Sequence, residues 1–247
     1  MKAIKVRFWA VAFWLFVWHL ASIALDSRLL LVSPVEVLQR LWALAKTFSF
    51  WSSIVFSLSR IALGFFLACM AGILLAALAA RFRHIRELLQ PVILTIKSIP
   101  VASFVVLALI WLSSKRLSVF ISFLMVFPVI YTNLLEGIFQ LNQELAEMAQ
   151  VFRVPFFRRL RYLSLPQLLP YFHSACQVSL GLCWKSGIAA EVIGIPEGSI
   201  GARLQQAKIY LDTPDLFAWT FTIVLLSLVC EKLFLQLLDF GKKRLTG

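Results

Sequence analysis

Four basic side chains sit where an oil-like chain should not tolerate them. Arg60, Lys97, Lys185 and Lys232 fall in or beside long uncharged apolar runs. A charge at the centre of a bilayer costs about 2.5–3.5 kcal/mol on insertion scales, so each needs water, a partner or a task. Arg60 and Lys232 lie near the ends of their runs, where a long side chain reaches the interface. Lys97 precedes Ser98-Ile99-Pro100 and either faces a cavity or reaches to the inner headgroups. Lys185 stands about five turns into its run by the 3.6-residue repeat. Glu191 falls on a different helical face, which rules out an easy ion pair within that helix. Lys185 therefore lines a pathway or pairs with another helix. The candidate pathway residues are Lys97, Pro100, Lys185 and Glu191.

Bond-making chemistry has no visible home. The chain lacks GxSxG, HExxH and any paired-carboxylate arrangement, so no catalytic residue is expected. His19, His84 and His173 are scattered and read as structural. Cys69, Cys176, Cys183 and Cys230 lie in apolar segments without CxxC spacing or a histidine partner, which suits small packing residues rather than a metal site. No GxxxxGK[ST] occurs, so this chain holds no ATP by a phosphate loop.

A second basic cluster is of another kind. EMAQVFRVPFFRRLRYLSLPQLLP, residues 147–170, packs Arg153, Arg158, Arg159 and Arg161 between two greasy runs. Residues 144–152 and 156–164 suit helices divided by Arg153-Val154-Pro155. Phe152, Phe156, Phe157, Leu160 and Leu163 supply an apolar side. Such a pair either lies on the inner leaflet or presents a helix to a groove on a cytoplasmic partner.

These residues must be positioned by membrane-spanning helices. The chain has 247 residues, is 61% hydrophobic and 15% charged, and has a mean hydropathy of +0.87. That is too little polar surface to cover a soluble domain. Runs such as 61–80 and 117–135 approach the ~20 residues a helix needs to cross hydrocarbon. The expected class is an all-α integral membrane protein with six spans near 8–25, 54–80, 91–113, 117–135, 166–192 and 214–238. A cytoplasmic helix pair sits between spans four and five. One transmembrane domain, 1–247, is expected, with its core at 50–240 and the cytoplasmic element at 144–165. Trp9, Trp18, Trp51, Trp111 and Trp219 suit an interfacial belt. The N-terminal apolar run exceeds the usual signal-peptide length of about 7–15 residues, so it reads as a retained first helix.

The net charge of +12 follows topology rather than forming one nucleic-acid patch. With a cytoplasmic N-terminus, the inner segments hold Lys2, Lys5, Arg7, Arg81, Arg83, Arg86, the four arginines of 147–170, Lys242, Lys243 and Arg244. The outer segments hold Arg28, Arg40, Lys46, Lys115, Arg116, Arg203 and Lys208. Thirteen against seven is a positive-inside bias. Residues 29–48 read as an amphipathic outer-surface helix opened by Ser33-Pro34, with Val35, Leu38, Leu41, Trp42 and Ala45 on one face. Residues 81–90 read as a short inner turn. The third span, with Pro91 and Pro100, should bend or break. Residues 194–215 are too polar to cross and read as a re-entrant or outer-surface helix.

The 147–166 stretch resembles the EAA loop of ATP-binding-cassette importer permeases. Glu147, Ala149, Leu163, Leu165 and Pro166 fall in its register. Met148 replaces an Ala and Arg153 replaces the usual Gly. Arg meets a steric penalty at positive φ, so the family's tight turn is expected to be lost, with Pro155 restarting the second helix. LVSPVEVLQRLWAL, SRIALGFFLACMAGILLA, IKSIPVASFVVLALIWL, GLCWKSGIAAEVIG and DTPDLFAWTFTIVLLS resemble successive segments of the nitrate/sulfonate/taurine/bicarbonate branch. The resemblance implies a bacterial inner-membrane permease importing a small solute, either an anion of the sulfonate, nitrate or bicarbonate kind or a vitamin precursor. It implies two ATPase subunits that bind ATP and Mg, an extracytoplasmic binding protein and a second, identical permease copy. It assigns coupling to Glu147, Ala149, Arg153, Leu165 and Pro166. A passive channel and an intramembrane enzyme are the competing classes. The first leaves the 147–166 spacing unexplained, and the second needs convergent polar residues at one depth.

Overall fold

The computed structural model describes residues 8–25 and 31–246, with side chains for 9–25 and 31–240. Lys2, Lys5, Arg7 and Arg28 lie outside the described residues, as do the side chains of Lys242, Lys243 and Arg244. The described chain is helical with no strand. In order it forms α1 (Phe8–Leu25), α2 (Pro34–Ala45), α3 (Phe48–Arg81), α4 (Arg83–Ser98), α5 (Val101–Trp111), α6 (Ser114–Phe139) and α7 (Gln143–Val151). It continues with α8 (Phe156–Arg159), a π-turn (Leu160–Ser164), α9 (Leu165–Gly194), α10 (Ile200–Ile209) and α11 (Thr213–Thr246).

The core is built by α3, α6 and α9. Gly64, Ala68, Gly72 and Ala76 recur every four residues along α3, so small side chains share one face. That stripe lets α6 approach closely, as small residues do between membrane helices. A Cβ at Gly64 would fall 2.5 Å from Val119 O, and one at Gly72 would fall 2.7 Å from Ile130 Cγ2. On α9, a Cβ at Gly187 would meet Ile61 Cγ1 at 2.7 Å. Ile61, Phe65, Ala68, Val126, Ile130, Cys176 and Trp184 fill the space between the three helices. A satellite core joins α5 to α6 and α9 through Val105, Ala108, Leu117, Ile121 and Ala190.

By length and composition, α3, α6 and α11 each qualify to cross a membrane, and α4 with α5 qualifies as a pair bent by 109°. The break expected in the third span is therefore present, at Ile99-Pro100. The apolar stretch of α1, Trp9–Leu25, is a shorter helix. α9 has the length, 30 residues, but Gln167, His173, Gln177 and Lys185 dilute its apolar character.

Several local expectations change. Residues 81–90 are not a turn: α3 runs to Arg81, only Phe82 leaves the helix (φ −121°, ψ 111°), and α4 starts at Arg83. One extended residue therefore separates the two helices. The helix that carries the expected second span, α3, starts at Phe48, with only Lys46 and Thr47 between it and α2. α2 opens as expected, with Ser33 and Glu36 forming a reciprocal capping box. Its register against the protein differs, however. Val37 is buried and Leu41, Leu44 and Ala45 pack on the core, while Val35, Leu38 and Trp42 stay exposed. A clamp from Arg40 on α2 to Asp215, with Asp212 at 3.8 Å, sets that rotation. The hydrogen bond to Asp215 raises the Arg40 guanidinium above its already high ordinary value. Trp219 belongs to no interfacial belt: it is 3% exposed and packs on Phe50 at 5.0 Å between ring centres.

Candidate coupling element and membrane-embedded polar groups

The 147–166 stretch forms an elbow. Asn142 caps α7 by accepting from Leu145 N–H at 3.2 Å, and its own N–H donates to Gln167 Oε1 at 3.0 Å. α7 then ends at Phe152, and Arg153 takes a left-handed conformation, φ +50°. The N–H of Arg153 donates to Gln150 O at 3.0 Å, and that of Val154 to Ala149 O at 2.9 Å. This pair of bonds is the Schellman helix stop, which normally uses glycine. The tight turn expected to be lost is therefore kept, with arginine bearing the strain of positive φ. Two satisfied carbonyls and Pro155, which cannot extend α7, hold it there. A second stop of the same type closes α10, where Leu211 has φ +56° and Asp212 N–H reaches Ala207 O at 2.9 Å.

The second helix of the pair also differs from expectation. It does not end at Ser164 but passes through the π-turn straight into α9. Pro166 carries no N–H, so an ordinary α-helical ladder fails here, and the wider π spacing takes up the residue. Gln167 Nε2 donates to Leu163 O at 3.0 Å beside this break.

Ala149 is 4% exposed and sets the inner corner of the elbow. Glu147 and Arg153 are exposed, and Leu165 and Pro166 are half-buried. The outer side presents Val151, Phe152, Phe156 and Phe157, the last 81% exposed. The elbow is tied to the bundle behind it. Tyr171 OH donates to Gln140 Oε1, and Gln140 Nε2 donates to Glu136 Oε1 at 3.2 Å. The Tyr171 ring lies so close to Gly137 that a Cβ there would fall 2.7 Å from its Cγ. Sequence reasoning missed these anchors. Their only signal is a set of amides and one tyrosine flanking the loop.

The four pathway candidates occupy three places. Lys97 is exposed at the α4–α5 break, its Nζ 3.4 Å from Thr132 Oγ1. Pro100 provides the N-cap of α5 with ψ 139°, and this extended step makes the break. Lys185 is exposed on α9, with no ion pair among the described residues.

Glu191 is elsewhere, wholly buried under α10. Its Oε2 accepts from Ser57 Oγ at 2.6 Å and from Gly201 N–H at 3.3 Å, while Ser57 Oγ accepts from Ile200 N–H at 2.9 Å. Carboxyl and hydroxyl together satisfy the first turn of α10, whose Ser199 side chain caps Ala202 N–H at 2.9 Å. Gly201 is required, because a Cβ would stand 2.4 Å from Glu191 Cβ. Ser57, a hydroxyl in a mostly apolar run, was the signal for this site.

No group of three or more metal-ligating side chains occurs among the described residues. Cys69, Cys176 and Cys183 are buried and Cys230 half-buried, all as free thiols.

The family model described as binding-protein-dependent transport system inner membrane component matches residues 68–246. The chain is 28% identical over 230 residues to a probable ABC transporter permease protein of Brucella melitensis, covering 93% of this chain and 91% of that one. It is 27% identical over 220 residues to the taurine transport system permease protein TauC of Escherichia coli, covering 87% and 80%. With the bicarbonate transport system permease protein CmpB of Synechococcus elongatus it shares 30% identity over 145 residues, covering 58% and 52%. The chain belongs to the binding-protein-dependent transport system inner membrane components, the non-catalytic permease subunits of ABC transporters, on the branch of the taurine, sulfonate, nitrate and bicarbonate permeases.

Proposed function

We propose that this permease imports a small anion by alternating access, driven by ATP hydrolysis in a separate subunit. Two identical copies, each crossing the membrane six times from a cytoplasmic N-terminus, pair with two ATPase subunits that bind ATP and Mg. An extracytoplasmic binding protein delivers the solute. One observation carries the reading. The exposed elbow of α7 and α8 is anchored through Asn142–Gln167 and Tyr171–Gln140 to the bundle, so a push on it reaches α6 and α9. Glu147, Arg153 and the phenylalanines meet the ATPase, Ala149 fixes the elbow angle, and Leu165 and Pro166 form its root. Coupling requires contacts that differ between two states, and a rigid knob seated in a moving groove supplies them. Lys97 and Lys185, both exposed and neither ion-paired among the described residues, favour an anionic solute.

The test is to replace Glu147 and Ala149 by arginine in the assembled transporter. ATP-driven uptake should disappear while membrane insertion stays normal. Because Ala149 is buried, Glu147→Arg alone is the folding-neutral companion and should also impair uptake. Unchanged uptake in both variants refutes the coupling role.

A further inference from the structure

α9 has two unlike faces. Cys176, Ser179, Leu180, Cys183, Trp184, Gly187 and Ile188 are buried against the bundle. Ser174, Val178, Gly181 and Lys185 recur at helical spacing on the opposite side, and none of the four is buried. Gly187 and Gly194 on this helix are packed so closely that a Cβ would fall 2.7 Å from a neighbour. Gly181 is different: a Cβ there meets nothing within 4 Å. Close helix packing therefore does not explain its glycine.

Lys185 lies nine residues before the end of α9 at Gly194, about 14 Å along the axis at 1.5 Å per residue. That depth is within hydrocarbon for any span ending at the interface. Lys185 has no ion pair among the described residues, and Glu191, on another face, bonds Ser57 and Gly201 instead. Lysine offers three donors and no acceptor. An unpaired ammonium at this depth, beside an open glycine, does not face lipid.

We propose that the Ser174–Gly181–Lys185 face of α9 lines a water-filled cavity in which Lys185 binds the oxygens of a small oxyanion. The missing side chain at Gly181 leaves room for the ion one turn from the ammonium. This deepens the anion-import reading and rests on it.

The experiment uses the complete transporter in membrane vesicles, with the four native cysteines replaced. Ser174→Cys and Gly181→Cys are compared with Met70→Cys, an exposed position on α3. Each is treated with an anionic sulfonate-bearing methanethiosulfonate and with its cationic trimethylammonium counterpart, neither of which crosses the bilayer. Both α9 positions should react at least about tenfold faster than position 70, with the anionic reagent favoured. Adding Lys185→Gln should lower the anionic-to-cationic rate ratio at Gly181→Cys about tenfold, as expected for a unit charge about 6 Å away in watery surroundings. Lys185→Arg should keep the ratio, which separates charge from a folding defect. Reaction no faster than at position 70 overturns the cavity. A ratio indifferent to Lys185→Gln overturns the anion site. Labelling that behaves as described while the Glu147 variants pump normally would defeat the coupling role and leave this assignment standing.

Discussion

Truncating Glu191 to alanine tests whether the buried clamp under α10 is held by hydrogen bonding or by packing alone. The variant removes an acceptor shared by Ser57 Oγ and Gly201 N–H in a fully buried setting. Hydrogen bonds to a charged group contribute about 1.5–3 kcal/mol each, and a buried donor left without a partner costs about 1–3 kcal/mol. Ser57 can turn its hydroxyl elsewhere and still accept from Ile200 N–H, so only Gly201 N–H is stranded. The expected loss is about 3–5 kcal/mol. For a chain of this length each kcal/mol lowers Tm by roughly 2–4 °C, so the midpoint should fall by roughly 6–20 °C. The assay is thermal unfolding in detergent, read by tryptophan emission and by monodispersity. Glu191→Gln keeps one oxygen for Ser57 and Gly201 and puts an amide nitrogen at the other oxygen's position, which has no hydrogen-bond partner. It should cost under about 2 kcal/mol. Equal losses in the two variants would refute the hydrogen-bond account, as would an alanine variant within about 1 kcal/mol of the parent.

Two further predictions come from the backbone. Arg153→Gly should stabilise the elbow by about 1 kcal/mol, because glycine adopts φ +50° without a Cβ penalty. Slower amide exchange at Val154 would show it, and faster exchange would contradict the Schellman assignment. Gly64→Ala should destabilise by about 1–3 kcal/mol and more than Gly72→Ala. The first Cβ meets the backbone oxygen of Val119, while the second meets the movable side chain of Ile130. Equal melting points for the two alanine variants would remove the close-approach argument.

The helices were readable because apolar runs and caps are local. Ser33 and Pro34 announced α2, and Pro100 announced the break in the third span. What stayed hidden depended on partners far along the chain. The rotation of α2 is set by Asp215, 175 residues from Arg40, and no pattern within residues 29–48 encodes it. Trp219 looked like a belt residue because its burial against Phe50 is a tertiary fact. Glu191 was visible as an intramembrane acid, but its service to α10 depends on Ser57 from another helix. The Arg153 turn was misjudged for a different reason. Local steric preference argued against a left-handed arginine, and the two hydrogen bonds of the helix stop outweighed it.

The elbow and the membrane site are joined by one continuous element, which gives the coupling reading its mechanical content. From Phe156 through the π-turn to Gly194 the chain is helical without interruption, so exposed Phe156 and Phe157 stand on the same rod as Lys185 and Glu191. A rod transmits displacement only if its weakest point holds. Here that point is the π-turn at Leu160–Ser164, where the ladder is already altered and Pro166 removes a donor. The Gln167 and Tyr171 bonds lie just beyond it and fasten the rod to the α6–α7 connection. Motion at the elbow is thus shared between α9 and α6, the two helices that pack tightly together in the core. At the far end α9 carries the Glu191 clamp, so α10 must follow any shift of the rod or lose its first-turn bonds. Bending at the π-turn would spare α10, whereas a rigid shift would move it, and under the proposed function that difference would decide whether ATP-driven closure reaches the solute side.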